Sequence, residues 1–146
     1  MLVIAGCSNK LSTQVLRPTH PIVPPAVARE RVEIDLERSS VYWKGTALGG
    51  MSKHNGTVKL LSGYLMIQND SITGGAFTMD MNTFEPTDIK SKAMKRKFIK
   101  HMRSDDFFNT ELYPTSSFTI TKATKDSISG NFTLRDVTKN FTFAYS

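Results

Sequence analysis

Short stretches in which apolar and polar residues alternate one for one recur along this chain, and they narrow its fold more than any other feature. Val32, Ile34 and Leu36 alternate with Glu33 and Asp35, and Val41 and Trp43 continue the same period of two. Val58 and Leu60 alternate with Thr57 and Lys59, in a strand expected to begin at Thr57; Ser62-Gly63 then reads as a turn. Leu65 and Ile67 lead to a second turn at Asn69-Asp70, and Phe77, Met79 and Met81 follow Ile72 and the pair Gly74-Gly75. Later, Phe118 and Ile120 alternate with threonines, Phe132 and Leu134 with Thr133 and Arg135, and Phe141 and Phe143 with Thr142. A period of two gives each strand one apolar and one polar face. Many such strands between glycine and asparagine turns predict a mainly β fold, an antiparallel barrel or sandwich.

One segment breaks the rhythm. Ile89, Ala93, Met94, Phe98, Ile99 and Met102 are spaced by three and four, which predicts a helix with one apolar stripe. Lys92, Lys95, Arg96, Lys97 and Lys100 fall largely off that stripe, and Thr87-Asp88 offers caps at its start. The stripe must lie against the sheet or a barrel mouth.

At 146 residues the chain is long enough for one domain with a substantial core. Its net charge of +6 raises the question of anionic partners, and much of the excess lies between Lys90 and Arg103. That basic segment is the sole argument for nucleic acid, and it lacks base-reading residues in a recognisable arrangement, so no nucleic-acid partner is expected. The single cysteine, Cys7, excludes an internal disulfide and any multi-cysteine metal site. Histidines occur at 20, 54 and 101, without helical metal-ligand spacing, and no aspartates follow the order of a calcium loop. His101 near Asp105 and Asp106 is a conceivable acid–base pair, but it reads better as a surface histidine beside carboxylates. No enzyme signature, metal site or cofactor motif is expected.

The chain's beginning has a different character. Leu2-Val3-Ile4-Ala5-Gly6-Cys7-Ser8 resembles the lipobox of bacterial lipoproteins, in which the cysteine is acylated after cleavage. Only six residues precede Cys7, short of the roughly 7–15 apolar residues of a signal core, so residues 1–7 are expected to be a signal remnant. Residues 8–30, broken by Pro18, Pro21, Pro24 and Pro25, read as a tether, and residues 31–146 as the folded domain. No stretch approaches the roughly 20 apolar residues of a spanning helix. The expected attachment is therefore a lipid anchor in the cell envelope, and Ser8 leans toward the outer membrane.

Several blocks together resemble the YceI-like family. They include Tyr42-Trp43-Lys44-Gly45-Thr46, His54-Asn55-Gly56-Thr57-Val58, and Gly74-Gly75-Ala76-Phe77 with Asp80-Met81-Asn82. Lys100-His101-Met102-Arg103-Ser104-Asp105-Asp106-Phe107-Phe108, Tyr113-Pro114-Thr115, and Ile128-Ser129-Gly130-Asn131-Phe132-Thr133-Leu134 with Val137-Thr138-Lys139 complete the set. The resemblance implies a lipocalin-like antiparallel β-barrel with one amphipathic helix between strands. It further implies periplasmic binding, transport or sequestration of a polyisoprenoid, isoprenoid quinone or fatty-acyl amphiphile, without covalent chemistry. The lumen would then be lined by Leu65, Ile67, Phe77, Met79, Phe118 and Phe132, together with Trp43, Val58, Leu60, Ile120 and Leu134. The basic helix would sit near a mouth, facing headgroups or an anionic membrane. Periodicity alone does not separate a hollow barrel from a packed one, so a structural or partner-binding β-domain stays open as the alternative. Two departures matter: the family usually continues by several strands beyond Lys139, and Asn140 stands where proline is common. The chain stops at Ser146, so Phe141 to Tyr145 are expected to form an exposed edge on a barrel that need not close.

Overall fold

The computed structural model of the chain describes residues 28–46 and 53–144. It contains seven strands and one helix: β1 (Glu30–Glu33), β2 (Val41–Thr46), β3 (Lys53–Gln68), β4 (Ser71–Pro86), α1 (Lys92–Arg103), β5 (Thr115–Ala123), β6 (Ser127–Leu134) and β7 (Val137–Ala144). All strand pairings are antiparallel, so the mainly β expectation with one interposed helix holds. The sheet is open. Its path runs from β3 through β4, β5 and β6 to β7, while β1 and β2 share the far edge of β3. β2 covers the first part of β3, pairing Val41 with Val58, and β1 the last part, pairing Val32 with Leu65.

Cross-strand partners share a face, so the register sorts the side chains. Leu60 faces Met79, Phe77 faces Phe118, and Phe118 faces Phe132. Leu65 faces Gly75, Ile67 faces Ile72, and Ile120 faces Gly130, which in turn faces Phe141. Trp43 lies opposite Gly56, two residues before Val58. The alternation thus assembles one apolar face across all seven strands. Its best-buried part is Val58, Met79 and Phe84 with Met102 from α1, and Val41, Trp43, Leu60, Phe98, Phe108, Phe118 and Phe132 pack around them.

Glycines let large rings lie flat on this face. A Cβ on Gly130 would come within 2.4 Å of Phe118 Cζ, and one on Gly56 within 1.9 Å of the Glu85 carbonyl oxygen and 2.7 Å of Trp43 Cζ2. Two tight hairpins close with two-residue loops, Asn69-Asp70 and Arg135-Asp136, whose four φ angles lie between 50° and 61°. Positive φ at both central positions matches the right-handed twist of the flanking strands. The Asn69-Asp70 turn expected from the sequence is one of them.

Several expectations need correction. Ser62-Gly63 is no turn: β3 runs through it, with a register shift between Leu60 and Ser62. Gly63 is buried there because Phe77 and Ile34 occupy the space a side chain would take. The strand expected from Thr57 begins at Lys53. Val32 and Trp43 do not belong to one strand, because the Asp35 carboxylate accepts from the N–H groups of Glu37 and Arg38 and bends the chain, leaving Leu36 exposed. The helix begins at Lys92, capped by Ser91, whose hydroxyl accepts from the Met94 N–H. Thr87 and Asp88 are engaged elsewhere, with Asn55 and His54, so they do not cap it. Residues 1–27 lie outside the described region, and with them the lipobox cysteine Cys7 and all but the last three residues of the expected tether, of which Glu30 opens β1.

Among the described residues β7 pairs with β6 alone and is exposed throughout, with Phe141 in contact with Phe132 of β6 and Phe143 with Phe118 of β5. Phe141 to Ala144 lie in this exposed strand, and Tyr145 is outside the described residues.

Replacing Gly130 with valine tests the register. The added side chain must displace the Phe118 ring, and overpacking of this kind costs about 1–3 kcal/mol. The unfolding free energy from urea titration should fall by that amount; an unchanged value would mean that Phe118 does not lie over Gly130.

Candidate functional site

At one end of the apolar face, α1 and the loop after it lean over β2, β3 and β4 and leave a cleft. Its floor is a stack of rings. Trp43 and Phe84 lie 4.3 Å apart at 20°, and Phe98 from α1 stands 6.3 Å from each. Offset stacking contributes about 0.5–1.5 kcal/mol per pair beyond area burial, so the stack ties helix and sheet together. Trp43 Nε1 is buried without a hydrogen-bond acceptor among the described residues, so ring packing anchors the indole. Phe108 meets Phe84 edge-on at 5.1 Å, and Phe107 meets Phe108 at 5.3 Å. Together with Met102 they wall a space of about 710 Å³, whose rim carries Lys44, Gly45, Thr46, His54 and His101.

Each wall is held by polar contacts away from the apolar surface. Lys95 pairs with Glu85 and Arg103 donates to the Asn82 carbonyl, so both ends of α1 are fixed to β4. The loop carrying Phe107 and Phe108 folds back on the helix end, where the Phe108 N–H donates to the Met102 carbonyl at 3.0 Å and the Asn109 N–H to Ser104 at 2.8 Å. Arg135 from the β6–β7 hairpin donates to the carbonyls of Asp105 and Phe107. These contacts preset the aromatic wall.

His54 occupies the rim beside α1. Its Nδ1 is 2.9 Å from Asp88 Oδ2, and its ring lies 4.8 Å from Phe98. Desolvation, the largest influence on the Asp88 carboxyl, pushes its pKa up. Hydrogen bonds from His54, from its own backbone and from the Asn55 N–H oppose this and leave it below the ordinary value. Lys95 likewise lowers the Glu85 carboxyl, by hydrogen bonding first and by charge second.

Of the side chains expected to line a lumen, Trp43 alone borders the cleft itself. Val58, Leu60, Met79, Phe118 and Phe132 form or abut the buried cluster beneath and beside it. Leu65, Ile67, Phe77 and Leu134 are half-buried farther along the same face, and Ile120 is buried there. Phe84, Phe98, Met102, Phe107 and Phe108 are the site residues that strand periodicity did not single out. His101 stacks edge-on against Phe107 at 5.8 Å and borders the cleft, while the histidine–carboxylate contact forms at His54 and Asp88. Among the described residues, no group of three or more His, Cys, Asp or Glu is placed to hold a metal ion.

Comparison with known proteins places the chain in a family. The model of the YceI-like domain matches residues 33–146. Protein YceI of Escherichia coli O17:K52:H18 is 34% identical over 97 residues, covering 64% of this chain and 48% of that protein. The same figures hold for Protein YceI of Shigella sonnei. A UPF0312 protein of Photorhabdus laumondii is 48% identical over 44 residues, 27% of this chain and 23% of its own length. The chain spans about half the length of the Protein YceI relatives that it matches.

Two measurements probe the site's construction. Phe84→Ala removes the ring on which Trp43 and Phe108 rest, and unfolding free energy should fall by about 3–5 kcal/mol; a loss under 1 kcal/mol would contradict the stack. The second is pH-dependent. A carboxyl whose folded pKa is depressed stabilises the fold above its unfolded pKa, and this contribution disappears as pH falls through the folded value. Asp88→Asn should therefore flatten the acid limb of a stability–pH profile; an unaltered limb would remove Asp88 from the account.

Proposed function

This chain belongs to the YceI-like family, and we propose that its cleft and adjoining apolar face shelter the tail of an amphiphilic lipid from water. The observation that carries this reading is the aromatic cleft of about 710 Å³ at one end of an apolar sheet face. Small-molecule sites are typically clefts of about 300–1,000 Å³ with apolar walls and few polar groups. Trp43, Phe84, Phe98, Phe107, Phe108 and Met102 supply such walls. Beyond it, Leu65, Ile67, Phe77 and Leu134 remain half-buried, a surface along which a long tail extends.

Solvent exclusion is the mechanism. Each 100 Å² of apolar surface removed from water contributes about 2.5 kcal/mol, so a tail gains affinity with length and needs no charged contact. Met102, in the cleft wall, suits an irregular chain because its thioether side chain adapts its shape. The ligand class is a polyisoprenoid, an isoprenoid quinone or a fatty-acyl amphiphile, and the action is binding, transport or sequestration with no bond made or broken. Acylation of Cys7 would tether the domain to an envelope membrane, with the proline-containing stretch from Ser8 as spacer, placing it in the periplasm.

Trp43 is the chain's single tryptophan and lies in the cleft, so its fluorescence reports occupancy. Titration with geranylgeraniol and with decylubiquinone should produce a saturable change in Trp43 emission. Phe107, 46% exposed at the cleft wall, can be replaced without opening the core, and Phe107→Asp should weaken binding at least tenfold. Absence of a saturable change with either ligand would favour a β-domain that works through its packed framework alone.

A further inference from the structure

The helix that roofs the cleft carries a second surface that ligand binding does not use. α1 reads Lys-Ala-Met-Lys-Arg-Lys-Phe-Ile-Lys-His-Met-Arg and contains no acidic residue. Its inner side is spent on Phe98 and Met102, which pack on the sheet, and on Lys95, which pairs with Glu85. Ala93, Met94, Lys97, Lys100 and His101 recur at intervals of three and four, and all five are exposed. Met94 is 67% exposed, whereas Phe98 and Ile99 of the same stripe are half-buried and Met102 is buried. An apolar side chain is thus left in water between lysines, on a helix fixed to the sheet.

We infer that this outer face of α1 docks on an anionic lipid bilayer, with Met94 entering the interface and Lys97 and Lys100 meeting headgroups. Charge complementarity selects the occupant. The nearby carboxylates of Glu85 and Asp88 are engaged by Lys95 and His54, and Asp105 and Asp106 lie beyond the helix's C-terminal end. A helix with lysines around an apolar residue is the arrangement that binds in the plane of a membrane surface, by apolar burial plus attraction to anionic lipid. A polyanion such as nucleic acid would use the lysines and leave Met94 without a role.

Position adds a second argument. Met94, Lys97 and Ile89 border a hollow of about 310 Å³ whose remaining walls are His54, Phe98 and His101. Those three residues also border the large cleft. The docking face and the cleft therefore meet along one line of side chains, so a bilayer at Met94 would lie against the cleft's margin. Docking itself stands on the helix surface alone and does not require that the cleft be occupied.

The test uses the full chain carrying Cys7→Ser, so that no acyl group contributes, and vesicles of phosphatidylcholine alone or with 30% phosphatidylglycerol. Co-sedimentation should occur with the anionic vesicles, fall steeply with added salt, and be near background with the neutral ones. Near an anionic surface each basic residue is worth about fivefold in partitioning, so Lys97→Gln with Lys100→Gln should weaken binding about 25-fold. Met94→Ser should cost a further severalfold, because the interfacial term scales with buried apolar area. Lys122→Gln with Lys125→Gln, on the β5–β6 hairpin, should bind as the parent does, and circular dichroism verifies that each variant keeps its fold. Equal binding to neutral vesicles, no binding to either, or anionic binding indifferent to the Lys97 and Lys100 changes would overturn the inference. Binding to single-stranded DNA as strong as to anionic vesicles, with no dependence on Met94, would overturn it in favour of a general polyanion surface.

Discussion

The packing of Trp43 on Gly56 and against Phe84 is the contact on which the rest of the structure depends. It joins three strands at once: Trp43 comes from β2, Gly56 from the start of β3, and Phe84 from the end of β4. The indole can lie there because Gly56 offers no Cβ; one would collide with both the ring and the Glu85 backbone. Once the two rings are stacked, Phe98 has a flat surface to approach, and α1 acquires its seat. The helix then places Met102 in the core and brings the Phe107-Phe108 turn across the top of the cleft. Removing any of these layers exposes the one beneath it.

The same arrangement explains why the sheet is uneven in its cover. Where α1 and its loop sit, Val58, Met79 and Phe84 are buried at 3–6% exposure. At the far edge β7 is exposed along its whole length, and Phe141 and Phe143 make ring contacts while remaining 43% and 53% exposed. An open antiparallel sheet with one continuous apolar face has more apolar surface than a single twelve-residue helix covers. That surplus is the surface that the proposed lipid tail would cover.

Much of this was legible in the sequence because a period of two is a geometric consequence of the strand. Leu60, Leu65, Ile67, Phe77, Met79, Phe118, Ile120 and Phe132 share one face by register. Reading failed where the backbone departs from regular pairing. Ser62-Gly63 has the composition of a turn, yet its glycine serves ring packing inside a sixteen-residue strand. Phe84 escaped the alternation because β4 is irregular between Asp80 and Phe84, where the Thr83 hydroxyl accepts from Lys59 and donates to the Asp80 carbonyl. Thr87-Asp88 resembled a cap, but the side chains found partners on β3, and Ser91 took the role. The cleft was the least legible part, since it combines a strand tryptophan with helix and loop phenylalanines. No local period encodes that meeting; the aromatic content of Phe98 and Phe107-Phe108 was its one visible sign.

The central claim is that the apolar face exists to hold a lipid, and native mass spectrometry tests it most directly. The chain would be expressed in bacteria, purified without detergent, and analysed intact and after organic extraction. The account predicts a stoichiometric apolar adduct whose extraction yields an isoprenoid or acyl compound. A folded protein that is empty, and that also refuses added isoprenoid quinone, would contradict it and leave the cleft as packing without a ligand.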